Sequence, residues 1–255
     1  MTDTRSHRGP HPEDDRLFGP AARPRLVEAV ADLCWLLTRG YATPSALKLV
    51  GDRHALDARQ RVAVARCACS DAQRARRSAH QVGLRRARGQ PVWLDGYNVL
   101  TTIEAALGGG VILEACDGAY RDMASMHGSY RKVAETRPAL ELLGRMLSEL
   151  GAGQCRWCLD RPVSNSGRLK QVIQETAASR GWPWEVDLLP DPDPILSQAQ
   201  EIVATADSVI LDRCQSWLNL ARETIAAYLP EVDVVRLGDM RSPLLPGEGQ
   251  GEGTP

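Results

Sequence analysis

From residue 91 onward, short apolar runs alternate with longer stretches of helical periodicity. This alternation is typical of βαβ units, in which helices cover the faces of a mostly parallel sheet. The sequence therefore predicts an α/β fold built on a mostly parallel sheet with flanking helices. Predicted strands lie at 92–95, 155–160, 184–191, 201–207 and 232–237, and predicted helices lie at 138–150, 166–180 and 217–229.

The stretch before this alternation, residues 22–90, reads as a small, basic, all-α domain. Asp57, followed by Gln60, predicts a capping box at one helix start, with Asp in place of the usual Ser or Thr. Residues 51–90 contain ten arginines and three aspartates, a surplus of seven positive charges in a chain of net charge −1. Such a surplus favours a polyanionic partner such as RNA, but a solvated helical surface explains it equally well.

The two ends of the chain, residues 1–21 and 241–255, are polar and are predicted to be disordered. The α/β domain is then expected over 91–240. No apolar run approaches the roughly 20 residues of a membrane helix, and the N-terminus lacks the apolar segment of a secretory signal. Seven scattered cysteines, without an export signal, favour reduced thiols. We therefore expect a cytoplasmic protein with no membrane partner.

Four of the five apolar runs end on an aspartate, namely Asp95, Asp160, Asp191 and Asp207. Ligands of open α/β sheets bind at the carboxyl ends of the strands, so Asp95, Asp160 and Asp207 are expected to meet at one edge. Oxygen ligands of this kind suit a hard cation such as Mg²⁺ or Mn²⁺. The alternative is that each aspartate caps a turn or the helix that follows, and for any one of them alone this is the favoured interpretation.

Polar residues beside these aspartates are candidate substrate contacts. Gly96 allows a sharp turn or a close ligand, and Asn98 either binds a phosphate oxygen or caps a turn. The segment after Asp160 leads into a predicted helix, whose start suits an anion. Plain capping of that helix by a serine remains the alternative. The candidate phosphate contacts in this segment are Arg161, Ser164, Asn165 and Arg168.

Further acids are weaker candidates for the same cluster. Asp212 is interpreted either as a metal ligand or as an ion-pair partner of Arg213. The irregular stretch 107–133 holds several charged residues, and Asp117 ranks first among its acids because it precedes a glycine. The other candidate acids in that stretch are Glu114 and Asp122, and Arg121, Arg131 and Lys132 are expected to face the substrate.

The motifs "LDGYNVL", after the first strand, and "VATAD", near the last, resemble those of PIN-like nucleases, especially the NYN branch. The resemblance implies a Rossmann-like sheet and acids that hold Mg²⁺ or Mn²⁺ to hydrolyse RNA. It implies that Asp95 and Asp207 bind metal, with Asn98 in the same site and Asp160 as a third acid. PIN nucleases usually carry another acid on a helix between these motifs, and no residue of this sequence is assigned to that position.

The chain from 22 to 237 also resembles an uncharacterised prokaryotic family, the domain of unknown function numbered 434. The stretches that carry this resemblance are "GDRHALDARQRVAVARCACSD", "VWLDGYNVL", "LDRPVSNSGRLK" and "VATADSVILDRC". The resemblance implies an N-terminal helical domain followed by a PIN-like domain.

We therefore expect a metal-dependent endoribonuclease whose catalytic acids are Asp95, Asp160 and Asp207, with RNA held by the basic helical domain. Two alternatives remain. One is a non-catalytic RNA- or DNA-binding protein with a degenerate nuclease fold. The other is a small-molecule phosphohydrolase that uses the same acids. The spatial separation of the carboxylates discriminates between a shared metal site and scattered capping residues.

Overall fold

The computed structural model of the chain describes residues 9–124, 130 and 133–238. The described residues form eight strands: β1 Val92–Asp95, β2 Ile112–Glu114, β3 Tyr120–Asp122, β4 Cys155–Asp160, β5 Trp184–Leu189, β6 Ile202–Ala204, β7 Trp217–Leu218 and β8 Val234–Arg236. They also form twelve helices: α1 Asp14–Phe18, α2 Arg23–Thr38, α3 Thr43–Arg53, α4 Ala58–Cys67, α5 Asp71–His80, α6 Leu84–Ala87, α7 Gly96–Leu107, α8 Thr136–Leu150, α9 Ser166–Arg180, α10 Asp193–Ser197, α11 Ser208–Leu211 and α12 Leu220–Tyr228. No helix among them is both long and apolar enough to cross a bilayer.

The main sheet has five parallel strands in the order β5-β4-β1-β6-β7. This confirms the predicted parallel sheet with flanking helices. The fifth strand of this sheet is β7. The sequence predicted that residues 217–218, which form β7, begin a helix. The predicted strand at 232–237 exists as β8, but it pairs with β2 in a second sheet of order β3-β2-β8. Strand β7 has only two residues, too few to show a strand periodicity.

Apolar side chains of the main sheet pack on both of its faces. One face and helices α7, α8, α9 and α12 form the largest core, which includes Leu94 and Trp157. The opposite face packs against α10 and α11 through residues such as Val203. Cys155 and Cys158 of β4 divide between these two cores, because residues three apart on a strand point to opposite faces. Both are packing residues of this sheet.

Helices α1 to α4 share a core with the second sheet instead of closing around one of their own. Leu26 and Leu33 of α2 belong to the same buried cluster as Leu113 of β2 and Val235 of β8. Helix α4 begins with the expected capping box, in which Gln60 Oε1 accepts from Asp57 N at 3.1 Å.

The N-terminal stretch 1–21, expected to be disordered, contains a helix in its described part. Leu17 and Phe18 of α1 are buried against the neighbouring helices, and this burial offsets the cost of ordering a polar stretch. The expected disordered tail, 241–255, lies outside the described residues.

The strand order places a topological switch point beside β1. The chain passes from β1 to β4 and β5 on one side, and then returns to β6 and β7 on the other. Connections therefore leave β1 and β6 in opposite directions, which opens a crevice at their carboxyl ends. Open α/β sheets bind their ligands at such a crevice.

Candidate functional site

An acid-lined cavity of about 360 Å³ opens at the carboxyl ends of β4, β1 and β6, the three central strands of the main sheet. The structure brings together Asp95, Asp160 and Asp207 in its lining, each at or just after the end of its strand. The other charged residues of the lining are Asp122, Asp193, Arg66 and Arg121. Five carboxylates and two guanidinium groups thus surround one cavity.

Asp95 is the most buried of the strand-end acids, with only 8% of its surface exposed. Its Oδ2 accepts a hydrogen bond of 2.7 Å from Thr205 Oγ1. The pKa of Asp95 is raised to about 7, mainly by burial and in addition by the negative charges of Asp207, Asp193 and Asp160, against the opposing effect of the hydrogen bond from Thr205. Asp95 therefore holds its proton more tightly than an ordinary carboxyl group, because burial disfavours its charged form and the nearby acids repel that charge.

Two polar contacts tie the connection after β6 to the end of β1. Thr205 Oγ1 donates to Asp95 and accepts from Asp207 N at 3.0 Å. Asn98, in the first turn of α7, accepts from Ala206 N through Oδ1 at 2.8 Å. The side chain of Asn98 thus positions backbone beside Asp207 while it lines the cavity.

Asp207 is also a helix cap, which was the alternative interpretation for a strand-end aspartate. Its Oδ1 accepts from Val209 N at 2.7 Å and from Ile210 N at 3.2 Å at the start of α11. Capping and cavity lining are compatible, because a carboxylate has two oxygens and about four acceptor sites.

Asp193, in the first turn of α10, is a cavity residue that the sequence did not single out. Burial raises its pKa, and Asp207, Asp191 and Asp160 add to the shift. Asp191, which ends the apolar run, is exposed and accepts from Asp193 N at 3.2 Å. The segment "DPDP" is the sequence signal that indicates Asp193, because a proline such as Pro194 is favoured in the first turn of a helix.

Asp117, ranked first among the extra metal ligands, lies outside the cavity lining in a buried ion cluster. Its carboxylate accepts from Arg77 Nη1 at 2.7 Å and from Arg121 Nη2 at 2.7 Å. The charges of the two arginines lower the pKa of Asp117 despite its burial. Arg121 also donates through Nε to Ala206 O at 2.8 Å, which links this cluster to the cavity wall.

Asp212 is likewise an ion-pair residue outside the cavity lining, and its partner is Arg77, not Arg213. Arg77 Nε donates to Asp212 Oδ1 at 2.7 Å. The sequence suggested Arg213 as the ion-pair partner because Arg213 is adjacent to Asp212. The observed partner, Arg77, lies 135 residues away along the chain.

Asp122 takes the cavity position that the sequence analysis assigned first to Asp117. Its Oδ2 accepts from Thr102 Oγ1 at 3.0 Å and from Thr101 Oγ1 at 3.3 Å, both on α7. Arg66 of α4 donates to the carbonyl oxygen of Asp122 and to Ala124 O. The candidates Arg131 and Lys132 lie outside the described residues.

The candidate phosphate contacts after Asp160 do not line the cavity. Asn165 donates through Nδ2 to Tyr130 O at 2.9 Å, so its amide positions the chain. Asn165 adopts φ +69°, a conformation that asparagine tolerates better than most residues. Arg161, Ser164, Asn165 and Arg168 are exposed.

Comparison with known proteins places the chain in a family. The model of the domain of unknown function DUF5616 matches residues 84–223. The chain belongs to the DUF5616 family. The model of the protein of unknown function DUF434 matches residues 25–80, which confirms the resemblance to that family over the helical segment. The chain is 30% identical over 186 residues to the uncharacterised protein MJ0935 of Methanocaldococcus jannaschii, covering 73% of this chain and 88% of that protein. No solved structure gives a significant match.

The cavity is lined by several carboxylate, hydroxyl and amide oxygens, without a preassembled ligand cluster. Across 9–124, 130 and 133–238, no group of three acidic, histidine or cysteine side chains is close enough to hold a metal ion. Within the same residues, none of the salt bridges involves Asp95, Asp160, Asp193 or Asp207. No arginine or lysine of this described part pairs with these four carboxylates, and a divalent cation that draws them together would reduce their mutual repulsion.

Tyr97 also lines this cavity, and its ring is buried with 3% of its surface exposed. The ring packs against that of Tyr130 with centroids 5.4 Å apart. Burial raises the pKa of Tyr97, and the charge of Asp160 raises it further. Its hydroxyl finds no hydrogen-bond partner in the described part of the chain.

The arginine surplus of residues 51–90 is largely used within the protein. Seven of the ten arginines contact a carboxylate or a backbone carbonyl: Arg53, Arg59, Arg61, Arg66, Arg74, Arg76 and Arg77. The other three, Arg85, Arg86 and Arg88, are exposed in and after α6. Because α6 precedes β1, these three lie toward the end of the sheet opposite to the cavity.

Proposed function

We propose that this protein is a metal-dependent endoribonuclease that hydrolyses RNA phosphodiester bonds in the acid-lined cavity. One observation carries the proposal: Asp160, Asp95 and Asp207 follow three neighbouring parallel strands and line one cavity at the switch point. Helix caps scattered over the fold would not need to share a cavity. The resemblance of "LDGYNVL" and "VATAD" to the motifs of PIN-like nucleases supports the same function.

Asp193 supports the PIN-like interpretation in a second way. It lies on a helix between the first and last motifs and lines the cavity beside the strand-end acids. This is the kind of position that PIN nucleases fill with an additional acid. We therefore add Asp193 to the proposed metal-binding set, and we leave Asp117 and Asp212 out because arginines neutralise them.

Asp95, Asp160, Asp193 and Asp207 would hold one or two Mg²⁺ or Mn²⁺ ions. When bound, such ions activate water and neutralise the charge that develops on the transferring phosphate. The chain itself positions the acids: Thr205 orients Asp95, and Asn98 fixes the backbone next to Asp207.

Arg66 and Arg121 are proposed to bind the negatively charged phosphates of the RNA, because both residues line the cavity. Arg121 is held by Asp117 and Ala206 O, so its position is fixed before any ligand binds. The exposed arginines at the opposite end of the sheet are poorly placed to hold RNA at the acids. We therefore propose that RNA contacts the arginines that line the cavity and not the surface of the basic helices.

The test is cleavage of a 5′-labelled pool of single-stranded RNA by the purified full chain with Mn²⁺, with a chelator control. We expect cleavage that leaves 5′-phosphate and 3′-hydroxyl ends and that falls by at least about 100-fold in Asp95→Asn, in keeping with electrostatic contributions at active sites. Asp71→Asn is the matched control, because Asp71 is exposed at the start of α5 and outside the cavity lining.

Cleavage that survives unchanged in Asp95→Asn contradicts the site assignment. Salt-sensitive RNA binding by a protein that never cleaves would instead favour the non-catalytic binding module.

A further inference from the structure

Two cysteine side chains meet where helix α2 packs against the turn between β2 and β3. Cys34 lies in α2, and Cys116 lies in the turn. Their sulfur atoms are 3.5 Å apart, which leaves no room for another atom between them. Both thiols are free, and the proposed nuclease function uses neither of them.

The surrounding packing holds these two thiols beside each other. Cys34 is 2% exposed in the core that helices α1 to α4 share with the second sheet, and Cys116 packs against the same core. Cys116 N donates to Cys67 O at 2.9 Å, which fixes the turn against the end of α4. The sulfurs need to approach by only about 1.5 Å to reach the length of a disulfide bond. The fold thus keeps two thiols within reach of each other although they are 82 positions apart in the sequence.

The two cysteines differ in exposure and in acidity, which gives each a distinct part in thiol–disulfide exchange. Cys116 is the more exposed residue, so we expect a small oxidant to react there first. The hydrogen bond with Cys34 and burial raise the pKa of Cys116, so this first reaction is expected to be slow. The same hydrogen bond lowers the pKa of Cys34, which favours Cys34 as the thiolate that attacks next.

We propose that Cys34 and Cys116 form a reversible disulfide that links helix α2 to the β2–β3 turn when a low-molecular-weight disulfide, such as oxidised glutathione, accumulates. First, the Cys116 sulfur loses its proton to solvent, attacks the small disulfide, and releases one small thiolate. The Cys34 thiolate then attacks the Cys116 sulfur of the mixed disulfide and releases the second small thiolate. The two cysteine sulfurs are thus oxidised, and the small disulfide is reduced to two thiols, which take up the two protons.

The link would join the two sequence families covalently at a junction that also contains the buried ion cluster. Cys34 lies in the DUF434 match, and Cys116 lies in the DUF5616 match. Cys116 directly precedes Asp117, whose carboxylate binds Arg77 of the helical segment and Arg121 of the cavity lining. The inference does not rest on the proposed nuclease function, because it concerns how the two segments are held together.

The test equilibrates the folded full chain with mixtures of reduced and oxidised glutathione, quenches exchange with acid, and counts free thiols after unfolding. We expect the count to fall from seven to five at the oxidising end and to return to seven with dithiothreitol. Mass spectrometry of the digested protein should find the Cys34 peptide joined to the Cys116 peptide. The melting temperature of the linked protein should rise by roughly 5–15 °C, because the cross-link closes a long loop.

Substitutions of single cysteines identify the pair. Cys34→Ala and Cys116→Ala should each abolish the link and the rise in melting temperature. Cys116 is partly exposed, so its variant keeps the test valid if the loss of the buried Cys34 thiol prevents folding. Cys158→Ala is the matched control, because Cys158 is 1% exposed in a different core, against α10 and α11. We expect this variant to form the link as the wild-type protein does.

Three outcomes overturn the proposal: seven free thiols at the oxidising end, a mixed disulfide on Cys116 that is never resolved, or a link between another pair such as Cys67 and Cys69. A linked protein that melts no higher than the reduced protein would also contradict it, because the link would then not brace the junction. The result for RNA cleavage is separate, since a protein without nuclease activity can still form this disulfide.

Discussion

Replacing Asp117 by asparagine tests the buried ion cluster that joins α5 to the cavity wall. The Asp117 side chain is 1% exposed, and those of Arg77 and Arg121 are 2% and 7% exposed. Its carboxylate accepts three hydrogen bonds from the two guanidinium groups, at 2.7 to 2.9 Å. An asparagine keeps the shape but removes the charge, so two buried cations lose their shared anion.

Breaking a buried ion pair by removing one partner costs about 3–5 kcal/mol of unfolding free energy. Arg77 keeps Asp212, and Arg121 keeps Ala206 O, which moderates the loss. We therefore expect Asp117→Asn to lower the free energy of unfolding by about 4 kcal/mol at pH 7. Because the charges of the arginines lower the pKa of Asp117 in the folded state, its stabilisation is present above the unfolded pKa and is lost as pH falls.

The assay is equilibrium unfolding in urea at pH 7, with the free energy taken from linear extrapolation. The control is Asp187→Asn, which breaks the ion pair between Asp187 and Arg156 of β4. The side chains of Asp187 and Arg156 are 37% and 35% exposed. Such a pair contributes about 1 kcal/mol or less. If Asp117→Asn costs no more than Asp187→Asn, the argument that the cluster holds the fold together is wrong.

Two further substitutions probe the junction between β1 and α7. Because the folded-state pKa of Asp95 is raised to about 7, the carboxyl contributes stability below its unfolded pKa that is lost as pH rises toward 7. In metal-free buffer, Asp95→Asn should therefore melt above the wild-type protein at pH 8 but close to it at pH 4, and equal melting at pH 8 would contradict the raised pKa. Gly96→Ala would place a Cβ 2.5 Å from a leucine methyl of β4, and we expect a loss of about 1–3 kcal/mol in urea unfolding. Gly167→Ala, at a helical site with no neighbour within 4 Å, is its control, and equal effects of the two would rule out the steric account.

The sequence predicted the sheet and the convergence of its acids because both depend on local pattern. Strand β1, for example, is a short apolar run whose carboxyl end must face the same edge as its parallel neighbours. The sequence pattern did not predict helix α7. The helix begins at Gly96, within the segment "DGYN", which has the composition of a turn. That helix is buried over most of its length, so it lacks the amphipathic pattern that reveals surface helices.

The parts of the site that the sequence did not indicate depend on contacts between residues that are distant in sequence. Asp117 and Asp122 are both acids in one irregular stretch, and their roles differ only through their partners. Asp117 meets Arg77, which lies 40 residues earlier, whereas Asp122 meets the threonines of α7. No local property of either aspartate indicates which one is neutralised and which one lines the cavity.

The position of Arg77 has a consequence for how members of this family can vary. Arg77 lies in the DUF434 match, whereas Asp117 and Asp212, its two partners, lie in the DUF5616 match. A lineage that lost or exchanged the helical segment would remove one of the two arginines that neutralise the buried Asp117, and Arg121, which contacts the cavity wall, would be left to neutralise it alone among the described residues. The two sequence families are therefore expected to be inherited together, with the arginine and its aspartates changing in concert.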